Sequence, residues 1–289
     1  MLIFLANGKL GNQIFQYLFL KKLKKEGELI LTSGFEELKT VFEIDDLINI
    51  NIGSGILKNY LLRMARPFTA SIVEKGLING VRIIREDLPS GFSRESNAFR
   101  YRKGKLKKVT FIYPGFFQSE AFFNPEDAYK LKIRRQYIDA ARTLLADVPA
   151  SVHRVFVHIR RGDYACYTVM GKSVMLPLSY FKEQINYFTK VKKNPFFIFF
   201  SDDPKFVEKA FSYLDNKLIS TRCHFGTDLA AMTMCHSAIL SPSSFGWWGA
   251  YLMKNRDTII APKYWLGFAS GIEYHKGSLP NFVRPVEVK

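Results

Sequence analysis

The chain has 289 residues, 47% of them apolar and 24% charged, with a formal net charge of +16. Those totals fit a folded globular protein of one large or two medium domains with ample core. No apolar run approaches the ~18 residues of a membrane span, and the three scattered cysteines, Cys166, Cys223 and Cys235, exclude a disulfide framework and point to a reducing, cytoplasmic setting.

Leu2-Ile3-Phe4-Leu5-Ala6 reads as a buried strand, too short and too lacking in a basic leader to be a signal peptide. A glycine-punctuated turn, Gly8-Lys9-Leu10-Gly11-Asn12, leads into a helix over residues 13–25. That helix ends in four lysines and is stopped by Gly27, which suits the negative end of a helix dipole. A short strand at 29–31 completes an α/β opening, and helices are expected near 40–48 and 55–78. From Lys58 to Lys108 there are thirteen Lys or Arg against four acids. A solvated basic face is the plain reading; the functional ones are peripheral contact with an anionic inner membrane surface, a nucleic acid or an acidic glycan. No nucleic-acid recognition motif accompanies these charges. Strand 109–113 and helix 128–146 follow, and Asp147-Val148-Pro149-Ala150-Ser151 is the best domain boundary, giving domains 1–148 and 149–289.

The second half alternates strand and helix more plainly. Strands are expected at 155–159, 196–200, 238–240 and 258–260, and helices at 177–193, from 204 to about 213, 227–236 and 245–254. Such alternation means a doubly wound parallel sheet, so the fold class is α/β.

Three turns carry candidate chemistry. The strand at Val155-Phe156-Val157 empties into Arg160-Arg161-Gly162-Asp163, and open α/β sheets bind ligands at the carboxyl ends of their strands. Guanidinium groups match phosphate oxygens two at a time. The turns at Gly8–Gln13 and Ser241–Gly249 each follow a strand and open a helix, where free amides and hydroxyls suit an anion. Neither is a Walker loop or a full dinucleotide fingerprint. Together the three turns point to a diphosphate. Metal signals are weak: there is no Asp-x-Asp, the pairs Asp45-Asp46 and Asp202-Asp203 are adjacent and point apart, and Cys223-His224 with Cys235-His236 makes a poor zinc set. Asp202-Asp203 is expected to cap a helix or meet a ligand hydroxyl, and Trp247 and Trp248 to be core.

The segment His158-Ile159-Arg160-Arg161-Gly162-Asp163-Tyr164 resembles the His-x-Arg-Arg-Gly-Asp-Tyr signature of bacterial α-1,2-fucosyltransferases. The resemblance continues at Gly8 to Gln16, at Phe200-Ser201-Asp202-Asp203, at Ala261-Pro262-Lys263, and most strongly from Asp228 to Leu252, which is similar to Asp-Leu … Asn-Ser-Ser-Phe-Ser-Trp-Trp-Gly-Ala-x-Leu. Departures are Lys9 for a glycine, Pro242 for the asparagine and Gly246 for the second serine.

The resemblance implies a GT-B-type, inverting, metal-independent enzyme with two Rossmann-like domains facing across a cleft. The first would take the acceptor, a terminal β-galactoside, and the second GDP-fucose. It places Arg160 on the β-phosphate, His158 and Asp228 on the guanine, and Ser243 and Ser244 on phosphate. Arg161, Phe245, Gly11, Asn12 and Gln13 join the expected donor-binding set. Arg160 is the expected catalytic cation. Asp163 is the nearest candidate base, weighed against a role in fixing the arginine loop. Rival readings are a GT-B-type transferase with another donor or linkage, a non-enzymatic nucleotide- or phosphoglycan-binding protein, and a basic surface adaptor.

Overall fold

In the computed structural model the described residues are 1–49, 81–86, 99–102, 106–112, 115–221 and 223–289. The expected helix at 55–78 and most of the basic stretch from Lys58 to Lys108 lie outside them. No helix among the described residues is long and apolar enough to cross a membrane. The chain divides into two units, Met1–Lys132 and Ile133–Lys289.

The first unit contains β1 (Leu2–Leu5), α1 (Leu10–Leu23), β2 (Ile30–Ser33), α2 (Glu36–Val41), β3 (Ile48–Asn49), β4 (Val81–Glu86), β5 (Phe99–Arg102), β6 (Leu106–Ile112) and α3 (Pro125–Tyr129). Its sheet runs β3-β2-β1-β6-β4-β5, parallel except for the antiparallel β4–β5 pair. α1 is apolar on all sides and is buried from Leu10 to Leu20 except at Asn12, as its sequence predicts for an internal helix. Its two buried glutamines are fully used. Gln13 donates to the Gly8 carbonyl and accepts from the Leu38 amide, while Gln16 donates to Asn7 and Gly115 carbonyls and accepts from the Asn7 amide. Phe19 stacks on Phe117 at 3.9 Å, and Phe122 meets both edge-on.

The second unit contains α4 (Arg135–Leu144), β7 (His153–Ile159), a small hairpin of β8 (Thr168–Val169) and β9 (Lys172–Ser173), α5 (Leu178–Val191), β10 (Pro195–Ser201), α6 (Pro204–Ala210), β11 (Lys217–Ile219), α7 (Phe225–Thr233), β12 (Ser237–Leu240), α8 (Ser244–Tyr251), β13 (Ile259–Pro262) and β14 (Val283–Val286). Its main sheet is wholly parallel, in the order β11-β10-β7-β12-β13-β14. The continuous apolar runs of β7 and β10 are those of strands covered on both faces. One face buries Val155, Val157, Ile159, Phe197 and Phe199 against Tyr180, Phe181, Ile185 and Phe188 of α5. Trp247 and Trp248 are buried, as expected, and Trp247 stacks on Tyr251 at 4.7 Å.

The compact units meet at Lys132/Ile133, whereas the sequence placed the boundary at 148/149. The reason is α4, which the sequence assigned to the first domain. Its Tyr137 stacks on His224 at 4.7 Å, and a Cβ on Gly226 would stand 2.9 Å from the same ring. α4 therefore packs against the start of α7, in the second unit.

The strand order locates a ligand site before any side chain is considered. From β7 the chain winds outward through β10 and β11, then crosses back to β12 on the other side of β7. The order reverses between β7 and β12, and in open α/β sheets ligands bind outside the carboxyl ends at such a switch point.

Candidate active site

At the switch point the chain leaves β7 as Arg160 and leaves β12 as Ser241. The parallel register pairs Leu240 with His158, so the two exits lie side by side. Ser241 stitches them together: its hydroxyl donates to the His158 carbonyl at 2.9 Å and accepts from the Arg160 amide at 3.0 Å. Tyr164 adds a second stitch, its hydroxyl donating to the Pro242 carbonyl at 2.6 Å. The proline that departs from the family pattern thus serves through its carbonyl.

Arg160 is held from both sides. Its Nε and Nη2 both reach Asp163 Oδ1 at 2.8 Å, and its Nη1 lies 3.1 Å from Asp202 Oδ2. Burial works against its charge, but Asp163 and Asp202 outweigh burial, and its pKa is raised. Asp163 is two-thirds exposed and engaged with Arg160, which is the loop-fixing role. Arg161 lies over the Phe206 ring, 3.6 Å from its centroid, and its Nε donates to Asp203 Oδ2 at 3.3 Å. Asp203 also caps α6, accepting from the Phe206 amide, so the capping expected of the Asp202-Asp203 pair falls to the second member.

Ser243 is the N-cap of α8, its hydroxyl accepting from the Phe245 amide at 3.4 Å, and Ser244 opens the helix. Both are partly exposed at the carboxyl end of β12. His158 sits inside, 5% exposed, with its ring 6.1 Å from Phe245. It fills the space that Gly246 leaves: a Cβ there would stand 2.8 Å from His158 Cγ. Burial first, then the Arg160 charge, push its pKa down to about 3, so the ring is neutral at any working pH. Its Nδ1 is buried without a hydrogen-bond partner among the described residues. Asp228, in the first turn of α7, accepts from the Ser220 hydroxyl at 2.5 Å. Burial pushes its pKa up to about 6 against the lowering effect of that bond. α7 starts at the same carboxyl edge, just after β11.

The structure therefore gathers Arg160, Arg161, Asp163, His158, Asp228, Ser243, Ser244 and Phe245 on one unit, at one end of one sheet. Gly11, Asn12 and Gln13 belong to the other unit. The Leu10 amide at the start of α1 already donates to a carboxylate, Glu37 Oε2, at 2.6 Å. Asn12 accepts from Gln118, and Gln13 is spent on Gly8 and Leu38. Sequence reasoning missed Ser241 and Ser220 as supports; β11, which positions Ser220, gave no periodic signal. Cys223 and His224 are occupied locally: the thiol donates to the Thr221 carbonyl and the imidazole caps α7. Among the described residues no cluster of three or more His, Cys, Asp or Glu is arranged to hold a metal ion.

Comparison with known proteins bears on this arrangement. An O-antigen biosynthesis glycosyltransferase, WbnK of Escherichia coli, is 33% identical over 114 residues, 38% of each chain, so the chain spans little more than a third of that relative. An α-1,2-colitosyltransferase of Escherichia coli is 30% identical over 285 residues, covering 89% of this chain and 90% of the relative. The structure of POFUT1 in complex with GDP-fucose superposes with a TM-score of 0.53 at 12% identity, over 90% of this chain and 97% of the other, and shows a shared GT-B-like fold. The model of glycosyl transferase family 11 matches residues 93–276, a span that holds the arginine turn, Asp228 and the serine turn, and the chain belongs to that family of glycosyltransferases.

Proposed function

We propose that the chain transfers L-fucose from GDP-β-L-fucose to the 2-hydroxyl of a terminal β-galactoside, forming an α-1,2 linkage with inversion. The observation that carries this reading is Arg160, a guanidinium fixed at the switch point by Asp163 and Asp202, at the end of the strand that pairs with β12, which leads into the serine cap of α8. The α-1,2 linkage is supported by the extended likeness to a protein named α-1,2-colitosyltransferase.

The chemistry follows from charge. Cleaving the fucose–phosphate bond leaves negative charge on the β-phosphate. Fixed cations and amides that meet that charge without reorganising lower the barrier. Arg160 supplies the cation, and the amides at the start of α8, with Ser243 and Ser244, supply dipoles. That division of labour asks nothing of a metal. The donor's guanine is assigned to Asp228, whose carboxylate can accept from N1–H and the exocyclic amine together. His158, neutral and buried, offers hydrogen bonding without added charge. Asp163 fixes Arg160 here and is not assigned as the base. The first unit is assigned to the acceptor.

A second donor is favoured by one observation. The relative matched over 89% of this chain is named for colitose, which is L-fucose without its 3-hydroxyl. Incubation with GDP-L-fucose, GDP-colitose or UDP-galactose, each with a β-galactoside, separates the readings. GDP release with GDP-L-fucose is the expected result. Turnover of GDP-colitose alone would change the sugar and keep the site, and turnover of UDP-galactose alone would overturn the assignment of Asp228.

A further inference from the structure

Resting on the donor-phosphate role proposed for Arg160, we infer that Asp202 is the residue that positions Arg160 for catalysis, and that residue 162 is glycine because the Asp202 carboxylate occupies the space of its side chain. The placement comes from strand register. Ser201, the last residue of β10, pairs with Ile159, the last residue of β7. The next residue on each strand is therefore Asp202 on one and Arg160 on the other. One carboxylate then grips the arginine turn at two points. Oδ2 stands 3.1 Å from Arg160 Nη1, and Oδ1 accepts from the Arg161 backbone amide at 2.9 Å. Asp163 holds the opposite edge of the same guanidinium through Nε and Nη2.

Fixing both edges of the fork leaves the guanidinium no free rotation about its last bonds. A flexible side chain becomes a preorganised donor, the property on which electrostatic catalysis depends. The neighbouring carboxylate has other work: Asp203 caps α6 and pairs with Arg161. Both oxygens of Asp202 serve the arginine turn. A Cβ on Gly162 would stand 2.7 Å from Asp202 Oδ2, closer than a carbon and an oxygen can approach. Gly162 and Asp202 are thus two halves of one device.

The device separates catalysis from affinity. Asp202 puts a negative charge close to where a phosphate would sit, so it does not favour ground-state binding of the diphosphate. Its contribution is the aim of Arg160. Two variants remove that aim by different routes. Asp202→Asn keeps an acceptor for the Arg161 amide and removes the charge opposite Arg160. Gly162→Ala keeps the charge and displaces the carboxylate.

The test is steady-state turnover of GDP-L-fucose, with GDP affinity by calorimetry on the same preparations and Arg160→Lys alongside. Both variants are expected to lose ~10-fold or more in kcat at saturating donor, as for a catalytic group displaced by a fraction of an ångström, while binding GDP as tightly as the unaltered enzyme or tighter. Unaltered kcat in Asp202→Asn beside an inactive Arg160→Lys would overturn the inference and leave the role of Arg160 standing. Parallel loss of kcat, GDP binding and melting temperature in both variants would also overturn it, by showing that Asp202 merely holds the fold. Normal turnover in Arg160→Lys would instead refute the proposed role of Arg160 itself.

Discussion

At the scale of single residues, the site is a set of charges held by other charges. Arg160→Lys keeps the positive charge but loses the fork that meets Asp163 and Asp202 together. The fold should survive, and kcat should fall ~10²-fold or more, as on loss of a principal donor to a developing oxyanion. Turnover measured on folded protein of unchanged melting temperature checks this. Asp228 gives a pH signature. Its pKa is pushed up to about 6, chiefly by burial, and only the ionised form accepts two hydrogen bonds from guanine. GDP affinity should therefore be full above that pKa and fall as pH drops through about 6. The sign for stability is opposite. A carboxyl whose folded pKa lies above its unfolded value binds more protons when folded, so its ionisation costs stability as pH rises from the unfolded value toward about 6. Asp228→Asn should accordingly melt no lower at neutral pH while losing the preference for GDP over UDP. Calorimetric titration of both nucleotides across about pH 5–8, a window that brackets the shifted pKa, checks the first sign, and melting temperatures over the same range check the second.

At the scale of elements, α8 is the part most sensitive to small change. Gly246 faces His158 and Gly249 faces Met232, where a Cβ would stand 2.5 Å from the sulfur. Gly246→Ala forces the His158 ring to move within a packed interior. It should destabilise by about 1–3 kcal/mol in denaturant unfolding, with the slope unchanged. The same helix shows how much of the molecule could be read in advance. α8, β7 and β10 were legible because apolar runs, glycines and a serine cap agree with one another. β11 was not, because Lys217–Ile219 is three residues long and half-buried throughout. β14 was not, because a proline interrupts an edge strand. The helix expected over 128–146 resolves into α3 and α4, with α4 packing through Tyr137 on His224 and Gly226, far along the chain, a separation that no local pattern reports. The arginine and serine turns were visible as turn chemistry. The role of Asp202 was not, because it depends on parallel register, which periodicity does not specify. That Glu37 meets the start of α1 was not legible either, because it is remote in sequence and close in space.

At the scale of the whole molecule, the family membership carries the assignment to glycosyl transfer. The proposed chemistry rests on arginine and helix amides, so activity should be undiminished by excess chelator. An assay in EDTA, with and without added manganese, checks that; loss restored by manganese would move the leaving-group role from Arg160 to a metal. The most direct measurement is the structure of the product. With GDP-β-L-fucose and a β-galactoside, the coupling constants and cross-peaks of the product in NMR give both anomer and linkage. One equivalent of GDP per α-fucosyl group on the galactose 2-hydroxyl is the expected result. A β anomer, attachment at another hydroxyl, or nucleotide binding with no sugar transferred to any galactoside would contradict it.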